Sequence, residues 1–342
     1  GCGDGGMRLW RPCISLVNAR VVTPAGLAES IRFDGRIRSL GEPPSPRDVV
    51  IDCGGSFVLP GLVNGHDHLE LNHYGRLKGQ DRYPNATAWA ADMTQRLHAD
   101  PSIVAGRAHP LRARLFIGGL KNLLAGVTTV AHHNPYYRDF GGSMPVRVVS
   151  QYGWAHSFGL EGRPAGAHGE PGGRVLERHR ATPPDVPFIV HIGEGIDADA
   201  EAEYPRLVRE GCVTPNTVLV HGVALSAADW RHLVTAGGSL VWCPASNAFL
   251  FRQTVRVRAC LDADPHASDR VCLGSDSRLT GSRDLLDEIR TAASLEPVTA
   301  GELLRMVTSA AADILRVPEA GRLRTGAPAD LVVVPAAHDQ RG

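Results

Sequence analysis

Short runs in which apolar residues cluster or alternate with polar ones fill the first sixty positions of the chain. Asp34-Gly35 lies between two of these runs and predicts a hairpin. Most of the runs are closed by Gly, Pro, Asn or Asp, which is typical of β-strands joined by tight turns. They lie at residues 14–17, 20–22, 30–33, 36–40 and 49–51. This part of the sequence predicts a small β-domain, which the strand-like residues 329–334 are expected to rejoin.

From about residue 60 the pattern changes to strands that alternate with amphipathic helices. The predicted helices are residues 111–125, 199–210, 226–236 and 282–294, and the predicted strands between them include 127–130, 188–191, 217–221, 239–243 and 271–274. Gly126 should end the first helix, Ser226 should cap the third, and Pro205 should interrupt the second. This alternation is typical of an α/β fold with a parallel sheet. A (β/α)₈ barrel is the simplest arrangement of such repeated strand–helix units, and a doubly wound open sheet is the alternative.

Composition narrows the class of protein. The 342 residues include 36 basic and 36 acidic side chains, so no net charge attracts nucleic acid or an anionic membrane. No apolar stretch approaches the roughly 20 residues that span a bilayer, and the first ten residues lack the pattern of a secretory signal. Seven cysteines without a Cys-x-x-Cys pair suggest reduced thiols. We therefore expect a cytoplasmic protein with no membrane partner, and leave self-association open.

Candidate metal ligands follow the first strand of the α/β region. Side chains alternate along an extended segment, so His66 and His68 should project to the same side and could share one ion. Taken alone, the pair could equally be a polar turn with two surface histidines.

Further residues of the same chemical kind end other predicted strands. His191 ends one strand and is followed by Glu194, His221 ends the next, and Asp276 closes the 271–274 strand. Each alone has an ordinary structural explanation. Together they lie at the C-terminal ends of strands, the face on which barrel enzymes carry their chemistry.

In their order along the chain these motifs resemble the amidohydrolase superfamily, and most closely its branch of cytosine, guanine and S-adenosylhomocysteine deaminases and triazine hydrolases. The motifs are PGLVNGHDH at 60–68, HIGE at 191–194, VHGV at 220–223, CPASN at 243–247, LGSD at 273–276, and GRL at 321–323 followed by ADLV at 329–332. The resemblance implies a (β/α)₈ barrel over residues 59–317. It also implies a discontinuous β-sandwich from residues 7–58 and 318–342.

The resemblance also assigns roles. His66, His68, His191 and Asp276 match the ligands of one divalent metal, zinc first, with iron and manganese as alternatives. Glu194 matches the general acid/base, His221 the histidine that orients water or substrate, and Asp276 also matches a proton acceptor.

The number of metal ions can be argued from the lysines. Binuclear members of the family use a carboxylated lysine on the fourth strand. The chain has only Lys78, in the loop after the first strand, and Lys121, inside the 111–125 helix. A single-metal site is therefore favoured.

The implied activity is hydrolytic deamination of a cyclic amidine or amino-heterocycle, with release of ammonia. One alternative is hydrolysis of a cyclic amide, an imidazolone, or another C–N or C–halogen bond at the same site; another is a metal-free scaffold. A nucleic-acid editing deaminase is disfavoured because its zinc pattern is missing.

The substrate is expected to be a small, flat nitrogen heterocycle. Side chains at or near the strand ends that suit such a ring are Glu70, His73, His133, Trp154, His156 and Asn247. Asn247 could instead cap the next helix. The fourth barrel strand is not evident between residues 159 and 187, which are rich in Gly, Pro and Arg.

Overall fold

The computed structural model describes residues 12–142, 144–162, 164–165, 170–171, 173–264 and 266–336. The chain divides into two compact units, Gly1–Gly61 with Glu319–Gly342, and Leu62–Pro318. The predicted first domain extends to residues 7–11 and 337–342, which lie outside the described residues.

The first unit is built from short strands in two four-stranded sheets. Its strands before Gly61 are β1 (Ile14–Val17), β2 (Arg20–Thr23), β3 (Gly26–Ala28), β4 (Ile31–Phe33), β5 (Ile37–Leu40), β6 (Val49–Asp52) and β7 (Phe57–Pro60). One sheet has the order β5-β4-β1-β6. The hairpin predicted at Asp34-Gly35 is confirmed: β4 and β5 pair antiparallel, and Gly35 has φ 120°, which favours glycine.

Within its described residues, the second unit contains eight parallel strands and a small antiparallel hairpin. The hairpin consists of β12 (Pro164–Ala165) and β13 (Glu170–Pro171). The parallel strands are β8 (Leu62–Asp67), β9 (Val127–His132), β10 (Arg147–Val148), β11 (Gly153–Ala155), β14 (Phe188–Ile192), β15 (Thr217–His221), β16 (Ser239–Trp242) and β17 (Val271–Leu273). They form one sheet of order β10-β9-β8 and another of order β11-β14-β15-β16-β17. The predicted α/β class with parallel strands is confirmed.

The ends of β17 and β8 meet, although they belong to different sheets. The N–H of Asp276 donates a hydrogen bond of 3.0 Å to the carbonyl of His66. Gly65 allows this approach, because a Cβ there would lie 2.8 Å from the carbonyl oxygen of Leu273. The chain segments that carry His66 and Asp276 are therefore neighbours.

The strands β10 and β11 explain why no fourth barrel strand is evident between residues 159 and 187. Both lie before that region, and they are only two and three residues long. β11 pairs in parallel with β14, with Trp154 opposite Ile189. Strands this short leave no periodic signal in the sequence.

The helices cover the parallel strands and differ from prediction in two places. They are α1 (Ala86–Ala99), α2 (Pro101–Arg107), α3 (Leu111–Leu124), α4 (Val175–Ala181), α5 (Ala198–Arg209), α6 (Ala227–Thr235), α7 (Pro244–Phe251), α8 (Val257–Ala263), α9 (Leu285–Leu295), α10 (Ala300–Met306) and α11 (Ser309–Ile314). Short 3₁₀ turns are Leu69–Leu71, Arg138–Gly141, Phe158–Leu160 and Ala267–Asp269. No helix in these described ranges is long and apolar enough to cross a bilayer.

Pro205 does not interrupt α5, contrary to the prediction. Pro205 and Glu201 are both exposed, so water can satisfy the Glu201 carbonyl that lacks its helical N–H partner. α9 begins at Leu285, three residues later than predicted, because the Asp284 side chain caps it by accepting the N–H of Asp287. The Ser226 cap is confirmed as a full capping box with Asp229.

The final strand, β18 (Leu331–Val334), belongs to the first unit. It pairs antiparallel with β7, with Val333 opposite Val58. The second sheet of that unit has the order β18-β7-β2-β3. Side chains of both sheets, among them Leu16 and Val21, share one apolar cluster.

Candidate metal centre and active site

The histidines of the His-x-His motif lie together at the end of β8. The rings of His66 and His68 have centroids 4.9 Å apart, and both side chains are buried. Asp67 between them faces the other way, where its carboxylate contacts Asn72, Asn122 and other polar groups. Strand alternation is the physical reason for this division.

Three further residues from distant strands converge on this pair. His191 on β14 has its ring centroid 4.9 Å from that of His66 and 5.0 Å from that of His221 at the end of β15. Asp276, which follows β17, has Oδ1 3.7 Å from Nε2 of His68. The potential ligand atoms of His66, His191 and His221 lie within 4.8 Å of one another, as do those of His66, His68 and Asp276.

The donor set fits a divalent cation. The Nε2 atoms of His66, His191 and His221 are buried and have no hydrogen-bond partner among the described residues. Burial, reinforced by neighbouring histidines, holds the pKa of His66 well below its usual range, and burial lowers the pKa values of His68 and His191 to about 4. The imidazoles are therefore neutral near pH 7, the form that binds metal.

Asp276 supplies the negative charge. Burial would raise the pKa of its carboxyl, but the facing histidines and two hydroxyl donors outweigh burial and lower it to about 2. Its Oδ2 accepts hydrogen bonds of 2.7 Å from both Ser246 and Thr280. Three neutral imidazoles beside one ionised carboxylate are a ligand set that zinc accepts readily.

The backbone is unusual at two of these residues. His221 has φ 75° and Asp276 has φ 50°, both in the left-handed region that non-glycine residues seldom occupy. Each side chain is fixed by a neighbour in α7: Asn247 Oδ1 lies 2.9 Å from His221 Nδ1, and Ser246 holds Asp276. The α7 helix thus positions both residues.

Glu194 lies directly beside the histidines. Its Oε2 is 3.2 Å from His191 Nδ1, and its Oε1 is 3.4 Å from His221 Nε2. Burial raises the pKa of this carboxyl to about 7. A carboxyl with such a pKa can both donate and accept a proton near neutral pH.

The backbone around Glu194 is held from two sides. Gly193 has φ 64°, and its N–H donates a 2.8 Å hydrogen bond to Glu203 Oε2. The N–H of Ala86 donates to the Glu194 carbonyl at 2.9 Å. Glu194 also lines a cavity of about 320 Å³ together with Ser157 and Glu203; the candidate metal ligands do not line it.

Three of the residues predicted to contact substrate lie at this centre. The His133 ring centroid is 4.5 Å from that of His191 and 5.5 Å from that of Trp154. The His156 ring stacks over His68 at 6.3 Å with an interplanar angle of 7°. Both ring nitrogens of His133 are buried without a hydrogen-bond partner among the described residues, so they are available to a ligand.

Glu70 is also close, but it is more enclosed. Its Oε1 accepts a 2.6 Å hydrogen bond from Asn134 Nδ2, which lies 3.4 Å from His68 Nδ1. Burial raises the pKa of Glu70 to about 7. The structure therefore links Glu70 to the back of His68 through Asn134.

Two predicted substrate contacts lie elsewhere. The His73 ring packs against Tyr74 and His109, and its Nε2 is 3.1 Å from the carbonyl oxygen of Gly106, because the loop after β8 turns outward toward α2. Asn247 is fully buried within α7, and its amide contacts His221 and Thr254. It supports the site from behind instead of facing a ligand.

The sequence analysis missed the polar network under Asp67. Lys121 Nζ lies 3.1 Å from Asp67 Oδ2 and donates to Asn72 Oδ1 at 2.8 Å, while Asn122 Nδ2 donates to Asp67 Oδ2 at 2.8 Å. The available signal was the adjacent Lys121-Asn122 pair within an otherwise apolar stretch of helix.

Comparison with known proteins agrees with this arrangement. A sequence profile of the Amidohydrolase family matches residues 183–340. A 5-methylthioadenosine/S-adenosylhomocysteine deaminase of Haloquadratum walsbyi is 38% identical over an alignment covering 83% of this chain and 74% of the relative.

Solved structures agree on the fold. A triazine hydrolase from Arthrobacter aurescens has a TM-score of 0.74 at 22% identity, covering 96% of this chain and 88% of the other. An atrazine chlorohydrolase of that species, complexed with zinc, has a TM-score of 0.72 at 20% identity, covering 95% and 88%. The family match and the deaminase relative together lead to one conclusion: this chain belongs to the amidohydrolase family.

Proposed function

We propose that this protein is a metal-dependent hydrolase that deaminates an amino-substituted nitrogen heterocycle and releases ammonia. The observation that carries the proposal is the position of Glu194. Its buried carboxyl lies within 3.4 Å of both His191 and His221, at the edge of the candidate metal site. A deaminase needs a proton donor at such a place, because the ring nitrogen of the substrate must gain a proton before water can add.

The fold in this proposal is a closed (β/α)₈ barrel in one unit and a β-sandwich in the other. Eight parallel strands are the number that such a barrel requires, and the hydrogen bond from Asp276 to His66 joins the last strand end to the first. Two four-stranded sheets around one apolar cluster support the sandwich.

One divalent ion would be held by His66, His68, His191 and Asp276. Zinc is the first choice, and iron and manganese are the alternatives. Such an ion lowers the pKa of a bound water toward neutrality and so supplies a nucleophile. Lys78 and Lys121 contribute no second site: Lys121 is engaged with Asp67 and Asn72, and Lys78 with the carbonyls of Asp81 and Phe249.

The residues of the chain move the protons. Asp276 accepts a proton from the attacking water, while protonated Glu194 donates one to the ring nitrogen next to the carbon that bears the amino group. A C–O bond forms at that carbon. As the C–N bond breaks, ionised Glu194 takes up the proton of the new hydroxyl group, and the nitrogen receives the proton held by Asp276 and leaves as ammonia. His221, fixed by Asn247, orients the reacting groups.

The proposed substrate class is a 6-aminopurine nucleoside. The support is the deaminase relative at 38% identity, whose name specifies such substrates. His133, Trp154 and His156 surround the site with rings and unpartnered nitrogens, which suit a flat heterocycle.

The test is turnover of zinc-loaded protein with 5′-methylthioadenosine, S-adenosylhomocysteine and 5′-deoxyadenosine, monitored by released ammonia. A chlorinated triazine, monitored by released chloride, is the comparison substrate. Ammonia from at least one purine nucleoside, abolished by a chelator and restored by zinc, supports the proposal. Chloride release without ammonia from any amino-heterocycle would replace it with the C–halogen alternative.

A further inference from the structure

A second cavity in the Leu62–Pro318 unit is strongly basic. It has a volume of about 410 Å³, and four arginines line it: Arg76, Arg278, Arg283 and Arg290. Asp287 is the one acidic residue among the described residues of its wall. We call it the arginine cavity. It does not include Glu194 or any of the candidate metal ligands.

The positive charge in the arginine cavity is not balanced by the protein. Asp287 is shared by Arg283, at 2.9 Å, and Arg290, at 2.8 Å. Arg76 Nε donates to the carbonyl of Gly281 at 2.6 Å, a contact that neutralises no charge. The half-buried Arg278 has no ion pair or side-chain hydrogen bond among the described residues. One carboxylate therefore faces four guanidinium groups.

The side chains of Arg283 and Arg290 are 70% and 69% exposed, so water screens their charges. The net positive charge of the cavity still attracts anions. The planar fork of arginine matches the oxygens of phosphate and carboxylate, to which it donates two parallel hydrogen bonds. Arg278 has its side-chain donors available for such a group.

The arginine cavity lies on the same loops as the candidate active site. Arg76 is in the loop that leaves β8 after His68, and Arg278 is two residues beyond Asp276. The backbone N–H of Arg278 donates to Asn72 Oδ1 at 3.0 Å, which joins the two loops. Thr280, within the same turn, donates to Asp276. An anion bound here would therefore lie beside the catalytic face.

We propose that the arginine cavity is a binding site for an oxyanion of phosphate or carboxylate type. Two sources share this chemistry: an anionic substituent of the substrate itself, which rests on the proposed function, or a free anion that binds independently of it. Arg278 is the principal ligand, because it is the arginine whose charge and donors are wholly uncommitted within the described part of the protein.

The primary test is calorimetric titration of zinc-loaded protein with inorganic phosphate, comparing wild type, R278Q and R231Q. Arg231 is an exposed arginine on α6 that does not line the cavity, so R231Q removes one positive charge elsewhere. We expect R278Q to weaken phosphate binding by at least about tenfold, and R231Q to leave it within about twofold. R278K, which keeps the charge but not the fork, should fall between them.

No phosphate binding by wild type, or equal binding by wild type and R278Q, would overturn the proposal. Zinc content and the thermal unfolding midpoint of each variant, measured without phosphate, verify that R278Q is folded and has kept its metal. If R278Q fails that check, R290Q with the same titration decides instead, since Arg290, on α9, also lines the arginine cavity.

The second arm identifies the source of the anion. It compares kcat/KM for adenosine 5′-monophosphate with that for 5′-deoxyadenosine. A loss in R278Q confined to the phosphorylated substrate assigns the cavity to the substrate. Unchanged kcat/KM for both, with phosphate binding lost, assigns it to a free anion. Absence of turnover with both nucleosides counts against the proposed nucleoside substrate alone, because the phosphate titration does not depend on turnover.

Discussion

Lys121 Nζ lies 3.1 Å from Asp67 Oδ2 in an ion pair that is almost wholly enclosed: the two side chains are 9% and 0% exposed. Lys121 also contacts Ser275 Oγ at 3.3 Å, and Ser275 directly precedes Asp276. One lysine on α3 therefore ties together the strand end that carries His66 and His68 and the loop that carries Asp276.

Replacing Lys121 by Met should destabilise the protein by about 3 kcal/mol, because the Asp67 carboxylate would remain buried without its counter-ion. Urea unfolding at neutral pH measures this change. The matched control is Lys78→Met at the only other lysine, which contacts two backbone carbonyls and the Phe249 ring, and which should cost about 1 kcal/mol or less. Equal losses for the two variants would contradict the role given to the buried pair.

His66→Ala should remove the metal. The wild type is expected to contain about one zinc per chain and the variant close to none, because His66 belongs to two of the three groups of converging ligand atoms, the third being His133, His156 and His191. Elemental analysis of purified protein measures the content. His266→Ala, at an exposed histidine, is the control and should retain the wild-type content. Full zinc content in the His66 variant would mean that the ion binds elsewhere.

Glu194→Gln should separate catalysis from metal binding. The amide keeps the size of the side chain but cannot exchange a proton, so turnover should fall by about 10² to 10⁴ while zinc content stays near that of wild type. Steady-state ammonia release and elemental analysis of the same sample are the measurements. A variant that retains most of its turnover would remove Glu194 from the mechanism.

Glu288 should make stability depend on pH. It is fully buried and accepts hydrogen bonds from the N–H of Ala245 and from Ser282. Burial nevertheless raises its pKa from 4.5 to about 7. Between these two pKa values the folded protein binds more protons than the unfolded chain. The contribution of Glu288 to the free energy of unfolding is therefore complete below the lower pKa and is lost as pH rises through the higher one.

Glu288→Gln should abolish that contribution, which is about 3 kcal/mol over the window. The free energy of unfolding of wild type and variant is measured at about pH 5 and at about pH 8. Relative to the wild type, the variant should be more stable at the higher pH than at the lower one. The buried histidines titrate in both proteins and cancel in this difference. A difference that is the same at both pH values would show that Glu288 is ionised throughout.

The strands of the catalytic unit were predictable where they are long and uniformly apolar. β14 and β15 are buried at every position, and each contains a run of three apolar residues directly before its histidine. The convergence of His66, His191, His221 and Asp276 followed from the rule that parallel strands present their C-terminal ends on one face. That rule needs only the order of the motifs, which the sequence contains.

Other features depend on contacts that leave no local pattern. β10 and β11 are too short for periodicity, and their pairing is decided by neighbouring strands. His73 was predicted to contact the substrate, but the path of its loop turns its ring toward Gly106. The bond between Lys121 and Asp67 joins residues more than fifty positions apart, and nothing near either one in the sequence indicates the other.

The left-handed backbone at His221 and Asp276 bears on how the site forms. A non-glycine residue keeps such a conformation only where its surroundings determine it, here through Asn247, Ser246 and Thr280. These hydrogen bonds form a layer of protein contacts behind the candidate ligands, and they hold the His221 ring and the Asp276 carboxylate in fixed orientations.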